Sequence, residues 1–124
     1  MSQSETNPQE ALAAQSAWDL ASLSAYDILV AHITNLMTAA AVKTGLYEGG
    51  EDQQDLADAR ILIDALAGLI DGALPHLGSQ HAAPLRDGLQ SLQAAFAERS
   101  PVADPPGQGP GERFGAKPRR RPRN

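Results

Sequence analysis

The sequence predicts an all-α protein, a small helical hairpin or three-helix bundle with a disordered C-terminal tail. Three observations predict it. Apolar residues recur at spacings of three and four through three blocks between Ser24 and Arg99, the pattern that aligns side chains along one face of a helix. Each block is bounded by residues that start or stop helices. No alternating, β-branched run of the kind that makes a strand occurs anywhere in the chain.

The first block opens at Ser24, with Asp27 three residues on. The pair resembles a capping box, in which each side chain satisfies a backbone donor left free at a helix start. Lys43 falls in the last turn and Gly45 follows, so the spacing predicts a helix over 25–44 with Leu29, Ile33, Leu36 and Ala40 on one face. The loop LYEGGEDQQ then reverses the chain, and Asp52 with Asp55 offers a second cap for a helix over 53–74. Its stripe is Ala59, Ile63, Leu66, Ile70 and Ala73, flanked by Leu62 and Leu69, and Pro75 ends it. After PHLGSQH a third helix is predicted from near Ala83, with Pro84 in the first turn, where a missing N–H costs nothing. Leu85, Leu89, Leu92 and Phe96 form its stripe, and Ser100-Pro101 closes it.

Upstream, Asn7-Pro8-Gln9-Glu10 reads as a cap, a first-turn proline and a capping acid, which predicts a short helix over 8–16 before Trp18. Trp18, Leu20 and Leu23 then either fold back as an apolar flap or pack on a second copy of the chain. Downstream, Pro, Gly and charge dominate from Ser100 on, a composition that buries too little apolar surface to offset its ordering entropy. Three segments result: a partly ordered 1–24, a helical domain over 25–99, and a disordered tail over 100–124.

At 124 residues, one small domain plus tails is the expectation. The absence of cysteine excludes disulfides, thiolate metal sites and a catalytic Cys, and suits a reducing cytoplasm. The start, MSQSETNPQE, lacks the basic then apolar pattern of a secretory signal. The most apolar run, Ala65 to Ile70, is bracketed by Asp64 and Asp71 and falls far short of the roughly 20 residues that cross a bilayer. A soluble cytoplasmic protein without membrane contact is expected. Eight Arg against two Lys, with abundant Ala, Gly and Asp, resembles the usage of a high-G+C bacterium.

Charge divides the chain. Residues 1–100 carry thirteen acids against four bases, a formal −9, whereas 101–124 carries two acids against six bases, a formal +4. Arg113, Lys117, Arg119, Arg120, Arg121 and Arg123 are therefore the candidate nucleic-acid contacts, since guanidinium groups pair with phosphate in two-pronged fashion. Binding by such a tail is weak, strongly salt-dependent and blind to base sequence, because the chain offers neither a recognition helix nor a row of stacking aromatics. The competing readings are a tail solvated or folded back on its own acidic domain, and a tail docked on an acidic protein.

The runs MTAAAVKTGL, DLADARILIDALAGLID, PHLG and PLRDGLQSLQAAF together resemble the domain-of-unknown-function family 1844, over about residues 17–98, with an echo in GQGPGERF. The resemblance implies a short helical domain in a bacterial cytoplasm. It implies no activity, cofactor or partner.

Nothing in the chain composes a catalytic or cofactor site, so no enzyme, no cofactor and no metal is expected. Asp71, His76 and His81 are a histidine pair and a carboxylate, but their spacing across a glycine-containing loop matches no ligand motif, and capping of local turns explains both imidazoles better. Asp64 and Asp71 lie two turns apart, about 10 Å of rise, which is too far for an acid–base dyad. Pairing of Asp64 with Arg60, one turn away, is the simpler expectation. Gly68 and Gly72 lie one turn apart and let another backbone come close, with the small Ala39–Ala41 run of the preceding helix as the favoured neighbour. The contact surface expected for a homodimer or an unknown protein partner comprises Trp18, Leu62, Gly68, Leu69 and Gly72.

Overall fold

The computed structural model describes residues 7–47 and 49–118. Four helices are present, α1 (Pro8–Ala21), α2 (Ala25–Thr44), α3 (Leu56–Ala73) and α4 (Ser79–Arg99), with single 3₁₀ turns at Gly50–Gln53, Leu74–His76 and Glu112–Phe114. No strand occurs among the described residues. The fold is all-α: α2, α3 and α4 pack on one another, and α1 stands outside them.

Helix ends follow the local chemistry. The Ser24 hydroxyl accepts the Asp27 N–H at 3.1 Å, the Asn7 side chain accepts the Gln9 N–H at 2.8 Å, and α2 stops where Gly45 adopts φ 81°. Three boundaries depart from the sequence reading. Asp55, not Asp52, caps α3, accepting the Asp58 N–H at 3.0 Å, so the helix begins at Leu56 and residues 50–53 form a separate turn. The start of α3 is stitched to α2 by Asp55 N–H donating to the Lys43 carbonyl at 2.8 Å and by a Lys43–Asp58 ion pair at 3.1 Å. At α4, the helix starts at Ser79, which places Pro84 inside it. Pro84 and Gln80 are both exposed, so the Gln80 carbonyl that loses its donor belongs to a surface residue and not to one buried in the core. The added turn is held by Ala82, 5% exposed, and by His81, whose ring meets Tyr26 of α2 edge-on at 5.0 Å. The N-terminal helix also runs past residue 16, to Ala21.

The core lies where the three stripes meet. Ala59, Ile63, Leu66, Ile70 and Ala73 of α3 are buried against Ile33 and Ala40 of α2 and Leu85, Leu89, Leu92 and Phe96 of α4. Leu29 and Leu36 complete the α2 contribution from half-buried positions. The small residues Ala40, Ala59, Ala67 and Ala73 let the helices close up around the larger side chains. One buried polar group at the α2 end, the Thr44 hydroxyl, is satisfied by the Ala40 carbonyl at 2.6 Å.

The C-terminal boundary is drawn too early by composition. From Val102 to Pro118 the chain has a definite course over α3 and α4, with Phe114 and Ala116 packed against the core. We call this segment the strap. Its order comes from a few strong contacts with the helices, which Pro and Gly content does not reveal. Arg119, Arg120, Arg121 and Arg123 lie outside the described residues.

Candidate functional site

The strap is held by α3 and α4 through three polar contacts and one ring. Arg60 of α3 donates twice to the Asp104 carboxylate, at 2.7 and 3.0 Å, while its guanidinium lies 5.0 Å over the Phe96 ring. One turn on, Asp64 accepts the Gly111 N–H at 3.1 Å and two Arg113 N–H groups, the shortest at 2.6 Å. The predicted pairing of Arg60 with Asp64 is thus replaced, because each finds a two-pronged partner in the strap instead of a single-turn neighbour. Gln93 of α4, 2% exposed, donates its amide to the Pro110 carbonyl at 2.9 Å and the Ala116 carbonyl at 3.2 Å.

Phe114 explains Gly68. A Cβ at that position would lie 2.9 Å from the Phe114 ring, so the neighbour that needs the small residue is the strap and not the Ala39–Ala41 run of α2. Gly72 faces open space. Gly111 is required twice over: its φ is +82°, and a Cβ there would sit 2.9 Å from both the Ala67 methyl and the Gln93 amide nitrogen.

The Arg113 guanidinium, hydrogen-bonded to it, holds the Asp64 carboxyl below its ordinary 3.8, with the Gly111 N–H adding to the effect against partial burial. Because the folded value is depressed, the contact's full contribution is present above the unfolded value of about 4 and is lost as the pH falls through the folded one. The strap is therefore expected to stay seated at neutral pH and to loosen in acid. Following the Gly111 and Arg113 amides by NMR from about pH 7 to about pH 2 tests this; amide shifts that ignore the acid range contradict the latch.

The remaining site residues are scattered. Lys117 is exposed. Arg113 is stacked 4.4 Å over Phe114 and paired with Asp64, with its side chain 68% exposed. Asp71, His76 and His81 are all exposed, and no group of three metal-ligating side chains comes together among the described residues.

Apolar side chains are also exposed on α1 and on α3. Trp18 is 75% exposed and Ile61 is 65% exposed, with Leu20, Leu23 and Ala65 also exposed and Leu62 and Leu69 half-buried. Trp18 does not fold back as a flap: every described side chain of α1 is exposed. By length and composition α2 passes as a membrane-spanning helix, yet Ile33, Ala40 and Thr44 are buried in the bundle. Sequence reasoning missed Asp104, Gln93, Gly111 and Ile61. A signal for Asp104 and Gly111 existed, since the acid at 104 and the Gly-x-Arg-Phe run at 111–114 are charge-complementary to Arg60 and Asp64 of α3; nothing in the sequence marks Gln93.

No curated protein and no solved structure matches the chain. The family model described as a domain of unknown function, DUF1844, matches residues 25–98, which is α2 through nearly all of α4 and excludes α1 and the strap. With more than half of its length matched, the chain belongs to the DUF1844 family.

Proposed function

We propose that the protein is a non-enzymatic accessory module of the bacterial cytoplasm that acts by holding another helix against its exposed apolar surface, and that a second copy of the chain is one such partner. The observation that carries this reading is α1. A helix of 14 residues is marginal in water by itself, and α1 buries none of its described side chains in its own chain while leaving Trp18 75% exposed. Contact with another molecule supplies the missing burial. On α3, the exposed Ile61 and Ala65 and the open Gly72 offer further apolar surface, with Leu62 and Leu69 half-buried against the core beside them.

The chain has a single tryptophan, so its fluorescence reports on this surface alone. Light scattering after size exclusion is expected to show a mass that doubles with concentration, accompanied by a blue shift of the Trp18 emission. Trp18→Ser with Leu20→Ser should weaken the association at least about tenfold, from the apolar area withdrawn. A chain that stays monomeric with unshifted emission at every concentration would sink the reading.

The alternative is attachment to RNA or the ribosome through Lys117 and the tip Arg119, Arg120, Arg121 and Arg123. It is separated by a chain ending at Pro118, which removes the tip and keeps the strap. Co-sedimentation with ribosomes that falls steeply with salt and vanishes in the shortened chain would favour this reading.

A further inference from the structure

We propose that the groove between α3 and α4 is a peptide-binding site for an extended segment of a partner protein, and that the strap is an occupant held in cis. On α3, Ile61 and Ala65 adjoin this groove beside Arg60, Asp64 and Pro110, so the two readings are told apart by substitutions in α1, which lies outside the packed helices. All the receptor groups, Arg60, Asp64, Gly68 and Gln93, belong to the helices that the family shares, whereas the strap lies beyond the matched residues. The groove thus carries a recognition pattern of its own. It asks for a carboxylate opposite Arg60, a glycine where the Gly111 backbone meets Ala67, an arginine for Asp64, an aromatic ring on Gly68, and carbonyls for the Gln93 amide.

The strap meets this pattern incompletely, in two places. The two carbonyls on the Gln93 nitrogen fix the orientation of its amide, which leaves the buried Gln93 Oε1 with no hydrogen-bond partner among the described residues. A half-open cavity of about 140 Å³ also remains between Phe114 and Ala116 of the strap and the helices, lined there by apolar Ile70 and Leu89 and by polar Asp71, Arg86 and Gln90. A segment with an N–H donor near Gln93 and a larger apolar side chain in place of Ala116 fits better than the strap does. Such a segment, running Gly, any residue, Arg, aromatic, Gly, large apolar, displaces the strap.

The test uses the full chain carrying Arg113→Ala and Phe114→Ala, which weakens the cis occupant and leaves the groove residues intact. Fluorescently labelled peptides of residues 103–118, with the native sequence and with Ala116→Leu, are titrated against this variant and against the unaltered chain. The variant is expected to bind the native peptide saturably and the Ala116→Leu peptide about tenfold more tightly, from the added apolar burial. The unaltered chain is expected to bind the native peptide at least about tenfold more weakly than the variant does, because its own strap competes at high effective concentration. If the double variant loses its helical circular dichroism, Asp104→Asn with Arg113→Gln replaces it. Absence of saturable binding to a helical variant overturns the proposal, as does equal binding to both chains, or an Ala116→Leu peptide that gains nothing. An unaltered chain that runs as a dimer dissolved by the peptide would give the groove to the strap of a second copy and overturn the assignment to a partner protein. A dimer built through α1 is distinguished by its loss in Trp18→Ser and its indifference to the peptide.

Discussion

Replacing Leu66 with alanine is expected to lower the stability of the chain by about 3 kcal/mol, the middle of the range for emptying a closed core site. Leu66 is 0% exposed and stands at the centre of α3, the helix that both α2 and α4 pack against. Its neighbours cannot close over the gap, because Ala40, Ala59 and Ala67 already hold the helices together through their smallest side chains. For a small domain with a total stability of about 5–10 kcal/mol, the loss is a large share. Urea unfolding followed by far-ultraviolet circular dichroism measures it, with Leu69→Ala as the comparison. Leu69 is half-buried at the edge of the core-facing side of the same helix, so it loses less contact and should cost about 1 kcal/mol. Equal losses at the two positions would mean that the face of α3 turned to the core is wrongly assigned.

The orientation of α3 was legible in the sequence because it is a local property. Five apolar residues at spacings of four and three fix a helical face whatever surrounds it, and all five are buried. The same holds for Leu85, Leu89, Leu92 and Phe96. The start of α4 was not legible, since Pro84 argues locally for a first turn. What overrides it is tertiary: the Tyr26 ring against His81 and the burial of Ala82. The strap was the least legible part. Its residues have little intrinsic preference for any structure, and its order depends on pairs 44 and 49 residues apart in the chain, Arg60 with Asp104 and Asp64 with Arg113. Reading Asp64 against Arg60 alone sees the weak exposed pair one turn away and misses the two-pronged pairs that compete for both side chains. Of the candidate contact surface, Trp18 and Gly72 are exposed, Leu62 and Leu69 are half-buried against the core, and Gly68 is covered by Phe114. An open glycine and a covered one look alike in a sequence, because the difference lies in which distant ring arrives.

Gly111→Ala is expected to unseat the strap while leaving the three packed helices folded. Two costs act at once. Alanine at φ +82° carries about 1 kcal/mol or more of backbone strain, and its methyl would meet the Ala67 methyl and the Gln93 nitrogen, neither of which can retreat from a packed helix face. The strap then gives up the Gly111 N–H bond to Asp64, and the Arg113 and Phe114 contacts that follow it in sequence lose their anchor. The combined cost, about 2–3 kcal/mol, is capped by detachment, because nothing further is lost once the strap swings free. Tryptic cleavage after Arg113 should accelerate at least about tenfold, and the Asp64 titration should move back up toward its ordinary value as its partners leave. Gly115→Ala is the control, since Gly115 has a φ of +86° but open space around its would-be Cβ, so it carries the strain without the clash. If the two substitutions release the strap equally, backbone strain alone governs its seating. If Gly111→Ala releases it far more, the fit of the strap against Ala67 and Gln93 is what keeps the groove closed.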